Sequence, residues 1–184
     1  MWLFRKKKKI EKDTIIGELW ENNFDRSDKN RFELEETEFF NAKLEDKSLK
    51  LTTNKRNVFV WSLNNVYRYK DFILDSSISI CEKNDHSAAG ILFRYADEFN
   101  YYYLMVSSKG LFRLDVVFNG SPRILIPWTS CNPESFSEIN IRIIVHGTSI
   151  FLFLDNIWIG EIEDDSIDAG YIAFGGQNFS NKDT

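Results

Sequence analysis

Residues 90–127 read GILFRYADEFNYYYLMVSSKGLFRLDVVFNGSPRILIP, and this stretch decides the fold of the chain. Runs of apolar and aromatic residues alternate in it with short polar segments at 96–100, 108–110 and 119–122. Gly, Asn, Asp and Ser at such breaks form tight turns between antiparallel strands. The stretch therefore predicts an antiparallel meander, and the arginines and tyrosines within its strands suggest where a ligand could bind.

Strand signals recur along the chain from residue 31 onward, and no segment shows clean helical periodicity beyond one turn around 131–136. Many short strands with turn residues between them are typical of an all-β, two-sheet antiparallel sandwich. We therefore predict that fold class, with strands at 32–40, 43–52, 57–62, 71–81, 88–95, 101–107, 111–118, 123–127, 139–146, 149–154, 157–163 and 170–175.

Three turns predict the pairing of neighbouring strands. Gly147-Thr148 suits a type II′ hairpin, because Gly occupies its first central position. A two-residue loop at Asp155-Asn156 would place Leu154 opposite Ile157, Phe153 opposite Trp158 and Leu152 opposite Ile159. A three-residue loop at 108–110 would sort the meander into two faces. One face is apolar and predicted to be core, and the other, which we call the tyrosine face, is predicted to be open and carries Tyr101, Tyr103, Met105, Leu111, Arg113 and Asp115.

Length and composition predict one globular domain with a real core, because the chain has 184 residues of which 15% are aromatic. We expect a basic tail at 1–19 and the sandwich domain at 20–184. A net charge of -5 disfavours a nucleic-acid partner. The Lys6–Lys9 run could touch an anionic membrane, but a solvated tail is the commoner reading of such a run. Since no export signal or spanning segment is evident, we expect a cytoplasmic protein.

The order of these strands and turns resembles the concanavalin A-like lectin/glucanase superfamily. Within it, the chain is most similar to bacterial jelly-roll domains related to laminin G-like modules and to family-16-like or keto-disaccharide glycoside hydrolases. The resemblance covers about residues 20–175, and it rests on Phe93-Arg94, Tyr101-Tyr102-Tyr103, Gly110, Asn140, Ile141, Ile143, Asp155-Asn156 and Gly170-Tyr171-Ile172.

The resemblance implies a jelly roll that binds ligands on its concave sheet or at the rim. One departure is the sequence end, GGQNFSNKDT, where such domains usually continue into a last strand. Either that strand is absent or this sequence is an N-terminal piece of a longer protein, and we expect the latter.

Carbohydrate sites need flat aromatic rings for stacking and polar side chains that hydrogen-bond hydroxyls. The candidate ligand-binding residues are Arg94, Tyr101, Tyr103, Arg113, Asp115 and Trp128. For each of them a structural role stays open. Arg94 could instead be stacked on Tyr102 or paired with a carboxylate inside the sandwich, the tyrosine face could be an ordinary solvated face, and Trp128 could anchor packing, as could Trp61 and Trp158.

The sequence gives weaker signals for a catalytic site or a metal site than for a ligand-binding face. Glu161, Glu163 and Asp165 alternate onto one face, but their order departs from the glucanase pattern, so a solvated strand end is preferred to a catalytic pair. No cofactor is predicted, although Asp75 or the loop at 82–85 could help to hold calcium. Cys81 and Cys131 could pair or remain two half-buried thiols.

These observations predict a non-catalytic, lectin-like carbohydrate-binding module. The alternatives are a protein-interaction or scaffolding domain of a larger protein, which a cytoplasmic setting favours, and a glycoside hydrolase.

Overall fold

The computed structural model describes residues 2–5, 21–53, 55, 57–80, 87–131, 133, 135 and 138–179. These residues form an antiparallel β-sandwich, which confirms the predicted fold class. Apart from one 3-10 turn at Arg26–Asn30, the regular elements of the described residues are the strands β1 Trp2–Arg5, β2 Glu35–Glu36, β3 Phe40–Glu45, β4 Ser48–Thr53, β5 Phe59–Tyr69, β6 Phe72–Ile80, β7 Ser87–Asp97, β8 Asn100–Ser107, β9 Leu111–Phe118, β10 Ser121–Ser130, β11 Ile139–His146, β12 Ser149–Leu154, β13 Ile157–Glu163 and β14 Gly170–Asn178.

The strands that the structure describes divide into two sheets. The eight-stranded sheet has the order β13-β12-β11-β6-β1-β4-β3-β2, and the six-stranded sheet has the order β10-β9-β8-β7-β14-β5. Alternate residues of both sheets point inward and form one core, which includes Leu51, Ile78, Phe93, Leu104 and Ile143. Phe24 closes one part of this core by packing against Phe32 and Phe174. No helix among the described residues is long and apolar enough to cross a membrane.

The N-terminal third differs most from the sequence-based prediction. Trp2–Arg5, expected within a tail, forms β1 and pairs with both β4 and β6. The strand predicted at 32–40 contains β2 and only the first residue of β3, and the strand predicted at 43–52 is divided by the β3–β4 turn, whose residues Asp46 and Lys47 both have positive φ. A two-residue turn with positive φ at both positions has the twist that a hairpin needs, and Asp is one of the residues that tolerate it. Asn41 and Ala42, where the predicted strands separated, lie inside β3.

The predicted turns of the C-terminal half are confirmed, with one exception in register. Gly147 has a φ of 59° and His146 pairs with Ser149, as a two-residue hairpin requires. Ile157 pairs with Leu154 and Trp158 with Phe153, but Leu152 lies opposite Gly160 rather than Ile159. The prediction for Leu152 was wrong because β13 contains a bulge, which adds one residue to that strand.

A second bulge, in β7, brings two backbones unusually close. Tyr171 pairs with Tyr95 and Ala173 with Leu92, so β7 has one more residue than β14 over this interval. Arg94 lies within the bulge with a φ of 46°, a left-handed conformation that side chains other than Gly rarely adopt. A Cβ atom on Gly170 would lie 2.3 Å from the carbonyl carbon of Arg94. Gly170 is therefore required where β14 begins.

We expect Gly170→Ala to lower the free energy of unfolding by about 3 kcal/mol, because the added methyl group overlaps backbone atoms that cannot rotate away. Urea denaturation followed by circular dichroism measures this. Gly147→Ala is the matched control: nothing lies within 4 Å of its Cβ position, so only the positive φ costs energy, about 1 kcal/mol. Equal losses in the two variants would contradict the steric role of Gly170.

Candidate functional site

The outer face of the six-stranded sheet carries a second hydrophobic cluster, separate from the core between the sheets. The three-residue loop after β8 is confirmed, because Val106 pairs with Phe112 and Gly110 has a φ of 73°. The predicted tyrosine face therefore points away from the core, and β5, β7 and β14 extend it across the sheet. Its apolar members are Leu63, Ala88, Leu92, Tyr95, Tyr103, Met105 and Ala173, with Phe59, Trp61, Tyr101, Trp128 and Tyr171 packed against them.

Four aromatic rings of this face form a closed circuit of contacts. The Phe59 ring lies 5.1 Å from Trp61, Trp61 lies 6.3 Å from Tyr95, and Tyr95 lies 5.8 Å from Tyr101 in a stacked arrangement. The circuit closes at 6.5 Å between Tyr101 and Phe59. Because Phe59, Trp61 and Tyr101 each remain partly exposed, the cluster presents a broad aromatic surface rather than a sealed core.

Small residues in the middle strands allow this circuit to form. Phe59 belongs to β5 at the edge of the sheet, yet its ring lies only 4.8 Å from that of Tyr103 in β8, three strands away. Between them, β14 presents Ala173 and Gly175 to this face. A Cβ atom on Gly175 would lie 3.1 Å from the Phe59 ring and 2.8 Å from the Leu92 side chain. The absence of a side chain at Gly175 thus leaves room for the aromatic rings to meet above the centre of the sheet.

The polar groups of the face lie at its β9 end. The Arg113 Nε donates to both carboxylate oxygens of Asp115, at 2.8 and 2.9 Å. The Arg113 guanidinium also lies 5.9 Å from the Trp128 ring, so it bridges a carboxylate and an aromatic ring. Its Nη atoms make no hydrogen bond to the residues that the structure describes. This end therefore combines guanidinium donors that are open to solvent, a carboxylate acceptor and a partly exposed indole.

Burial disfavours ionisation of two tyrosines of the face, Tyr101 and Tyr103. Tyr103 lies opposite Asp115, and its buried hydroxyl has no hydrogen-bond partner among the described residues. Burial raises the pKa of Tyr103 far above its usual range, and it raises the pKa of Tyr101 in the same direction. Both side chains therefore carry a hydrogen-bonding hydroxyl rather than a phenolate at neutral pH.

The structure thus brings together five of the six predicted site residues: Tyr101, Tyr103, Arg113, Asp115 and Trp128. Phe59, Trp61, Tyr95 and Tyr171 join them but were not predicted as site residues. The alternation in VFVWSL, where Val58 and Val60 pack toward the core and Phe59 and Trp61 point the other way, was the signal available for two of them.

Arg94 does not join this face. Its side chain is 1% exposed, and Phe93 rather than Arg94 pairs with Tyr102. The guanidinium donates to the carbonyl oxygens of Lys70, Gly147 and Ile167, at 2.7 to 3.2 Å, and Asp71 lies 3.9 Å away. The expected stacking on Tyr102 is not realised, because Phe93 occupies that position, and the expected carboxylate partner is present as Asp71, although the main partners of Arg94 are backbone carbonyls. Arg94 therefore joins three connecting segments at one end of the sandwich.

A carboxylate that the sequence did not single out occupies the neighbouring part of the core. Asp164 accepts a hydrogen bond from the Tyr102 hydroxyl at 2.6 Å and from Arg123 at 2.5 Å. Burial opposes ionisation of Asp164, but the hydrogen bonds from Ser166 and Tyr102, with the charge of Arg123, outweigh it and lower its pKa. Asp164 thus fixes the loop between β13 and β14 against β8 and β10.

The other acidic residues considered from the sequence lie elsewhere. Glu161 and Glu163 point from the outer face of the eight-stranded sheet, and Glu163 accepts hydrogen bonds from Thr148 and Ser149. Asp75 is held bidentately by Arg142, at 2.7 and 2.9 Å, and the loop at 82–85 lies outside the described residues. Within the described residues, no group of three or more His, Cys, Asp or Glu side chains could hold a metal ion. Cys131 is a free thiol whose pKa burial raises to about 11.

Solved structures with the same architecture identify the fold. A carbohydrate binding module from Bacillus subtilis superposes with a TM-score of 0.59 at 19% identity, over 70% of this chain and 83% of the module. A Bacteroides ovatus glycoside hydrolase family 16 endo-glucanase gives 0.62 at 8% identity, over 85% of each chain. This chain has the concanavalin A-like jelly-roll fold. A galectin-like protein of unknown function from Bacillus subtilis gives 0.60 at 14% identity, over 84% of this jelly roll and 86% of that chain.

Sequence comparison gives a different kind of relative. No family model matches the chain. A "TPR repeat-containing protein" from Treponema pallidum is 27% identical over an alignment of 220 residues that includes 92% of this chain. The match covers 27% of the Treponema protein, so this jelly roll spans about a quarter of the length of that relative.

The contacts of Arg94 predict a large effect on stability. Arg94→Met keeps much of the side-chain volume but leaves the carbonyl oxygens of Lys70, Gly147 and Ile167 without donors, so we expect the free energy of unfolding to fall by about 3 kcal/mol. Chemical denaturation measures this. Arg113→Met, a half-exposed site on the tyrosine face, is the control and should lose less than about 1 kcal/mol. Similar losses in the two variants would refute the structural assignment of Arg94.

Asp164 predicts how stability depends on pH. Its pKa is lower in the folded state than in the unfolded state, so its ionisation stabilises the fold above the unfolded pKa of about 3.9. That stabilisation should disappear as the pH falls from about 5 through the lower folded pKa. Urea denaturation from pH 6 to pH 3 should therefore show a smaller acid-induced loss in Asp164→Asn than in the parent chain. Parallel curves would contradict this role.

Proposed function

We propose that the tyrosine face is a carbohydrate-binding surface and that this chain is a non-catalytic binding module. The observation that carries the proposal is the junction of the aromatic circuit with the Arg113–Asp115 pair. Aromatic rings stack on the apolar C–H faces of sugar rings, while the Arg113 guanidinium, the Asp115 carboxylate and the Tyr101 hydroxyl can hydrogen-bond sugar hydroxyls. Trp128 and Tyr101 supply the exposed stacking surfaces in this proposal, and Arg113 and Asp115 fix the orientation of the ligand.

The comparisons support this proposal through the fold alone. Two of the superposed structures are a carbohydrate binding module and an endo-glucanase, so the same architecture presents sugar-binding surfaces in other proteins. Fold does not determine activity, so the proposal depends on the residues of the tyrosine face.

The acidic residues favour binding over hydrolysis. Glycosidases generally use two carboxyl groups about 5–10 Å apart, on either side of the scissile bond. On the tyrosine face, Asp115 is already paired with Arg113. Glu161 and Glu163 point from the outer face of the other sheet, on the far side of the core. A module that binds without cleaving fits this arrangement.

Affinity gel electrophoresis against a panel of soluble neutral and acidic polysaccharides tests the proposal. We expect at least one polysaccharide to retard the protein, and Tyr101→Ala and Trp128→Ala to weaken its binding by about tenfold each, through loss of stacking surface. Trp158→Ala is the matched control, because it removes an exposed Trp from the other sheet. If no polysaccharide retards the chain, or if all three variants behave alike, the tyrosine face is not a sugar-binding surface.

A second candidate function is a protein-interaction domain within a larger polypeptide. The observation that favours it is the Treponema relative, which is named for TPR repeats and is nearly four times longer than the part that this chain matches. Each TPR repeat is a pair of α-helices. In that architecture a jelly roll would be joined to helical repeats, and its surface would face helices.

A further inference from the structure

The outer face of the eight-stranded sheet has two unlike halves. Around β3 and β4 it is polar: Lys43 and Lys50 lie opposite one another and both pair with Glu45. This is the usual character of an antiparallel sheet face that meets water. Across β6, β11, β12 and β13 the same face carries a run of apolar side chains among polar ones. This apolar stripe consists of Ile73, Ile144, Phe151, Phe153 and Trp158.

The register places these five side chains next to one another. Ile73 pairs with Ile144, and Ile144 pairs with Phe151. In the adjacent row, Phe153 pairs with Trp158 on one side and with Arg142 on the other. The first row covers β6, β11 and β12, and the second covers β12 and β13, so that together the two rows reach four neighbouring strands, a width of about 14 Å at normal strand spacing.

The two ends of the stripe are exposed, and Ile144, Phe151 and Phe153 between them are partly exposed. Ile73 is 67% exposed and Trp158 is 57% exposed. Their neighbours in sequence, such as Leu74 and Ile159, are the residues that pack against the core. Contiguous exposed apolar surface of this kind marks an interaction site in soluble proteins, whereas single exposed apolar residues do not.

The charges around the stripe are acidic. Glu161 lies opposite Phe151 at one end of a row, and Glu163 follows two residues later on the same face. The cation within the patch, Arg142, is neutralised by its bidentate contact with Asp75. A partner that fits this surface would bring apolar side chains to the stripe and positive charges to the Glu161 side.

We propose that this stripe docks a basic amphipathic α-helix of the kind that helical repeats present. The dimensions agree, since three turns of helix span about 16 Å and carry an apolar face of residues spaced three and four apart. The occupant follows from the acidic rim and from the helical repeats named in the Treponema relative. The inference rests on the second candidate function and is independent of sugar binding, because the stripe and the tyrosine face belong to different sheets.

A pair of synthetic 18-residue helices tests the proposal by isothermal titration calorimetry. Both carry leucines on one face, and the flanking positions are lysines in one peptide and glutamates in the other. We expect the lysine peptide to bind at least tenfold more tightly than the glutamate peptide, because of the acidic rim. The double substitution Ile73→Ser with Trp158→Ala should weaken the lysine peptide by at least tenfold. Both side chains are largely exposed, and an unchanged thermal midpoint would show that the double variant is folded.

Lys43→Ser, on the polar half of the same face, is the matched control and should leave peptide binding unchanged. Equal binding of the two peptides, or binding that the double substitution does not alter, would overturn the proposal. So would a dimer in gel filtration that the double substitution dissociates, since a second copy would then cover the stripe. Binding to anionic phospholipid vesicles that the double substitution abolishes would also overturn it, in favour of a membrane surface. If the double variant is still retarded by polysaccharide as strongly as the parent chain, sugar binding on the tyrosine face is independent of helix docking on the stripe.

Discussion

The buried guanidinium of Arg94 is the interaction on which one end of this sandwich depends. Backbone carbonyl groups at the ends of strands lose their water when loops from both sheets converge, and each unpaired group is costly. Arg94 supplies donors for three of them, from Lys70, Gly147 and Ile167. Its side chain reaches them because the β7 bulge turns it out of the ladder, with a left-handed backbone, and the bulge fits against β14 because Gly170 lacks a side chain. The β7 bulge, the left-handed backbone of Arg94 and the missing side chain at Gly170 therefore depend on one another.

The bulge also determines which residues of β7 belong to the tyrosine face. Before it, Leu92 points outward and Phe93 points inward; after it, Tyr95 points outward again. Without the extra residue, strict alternation would turn Tyr95 toward the core and break the aromatic circuit at Trp61 and Tyr101. The stability of the sandwich end and the composition of the candidate site are thus linked through one inserted residue. This linkage explains why a residue that resembles a ligand-binding arginine in the sequence has a structural position instead.

Periodicity and turn chemistry predict most of this fold, and they fail at identifiable places. The β8–β9 faces followed from Gly110 and alternation, which together place Tyr101, Tyr103, Arg113 and Asp115 on one side. The register of Leu152 and the position of Arg94 were not predictable, because a bulge leaves no local signature when its extra residue is not Gly. Strand β1 was missed because four residues before a lysine run carry little signal by themselves. Alternation in VFVWSL indicates the face on which Phe59 lies, but no local pattern contains its contact with Tyr103 three strands away.

The two outer faces of the sandwich both carry apolar surface outside the core, but they arrange it differently. Both carry more aromatic and aliphatic surface than an ordinary solvated face needs. On the tyrosine face, the aromatic rings pack against one another above the small residues of β14. Polar groups are concentrated at one end of this face, an arrangement that suits a small ligand with hydroxyl groups. On the apolar stripe, side chains stand in two rows across four strands, and the charge lies along the rim, as suits an elongated partner. If both faces are occupied at once, the jelly roll becomes an adaptor, with the rigid core between the sheets keeping the two partners about two sheet thicknesses apart.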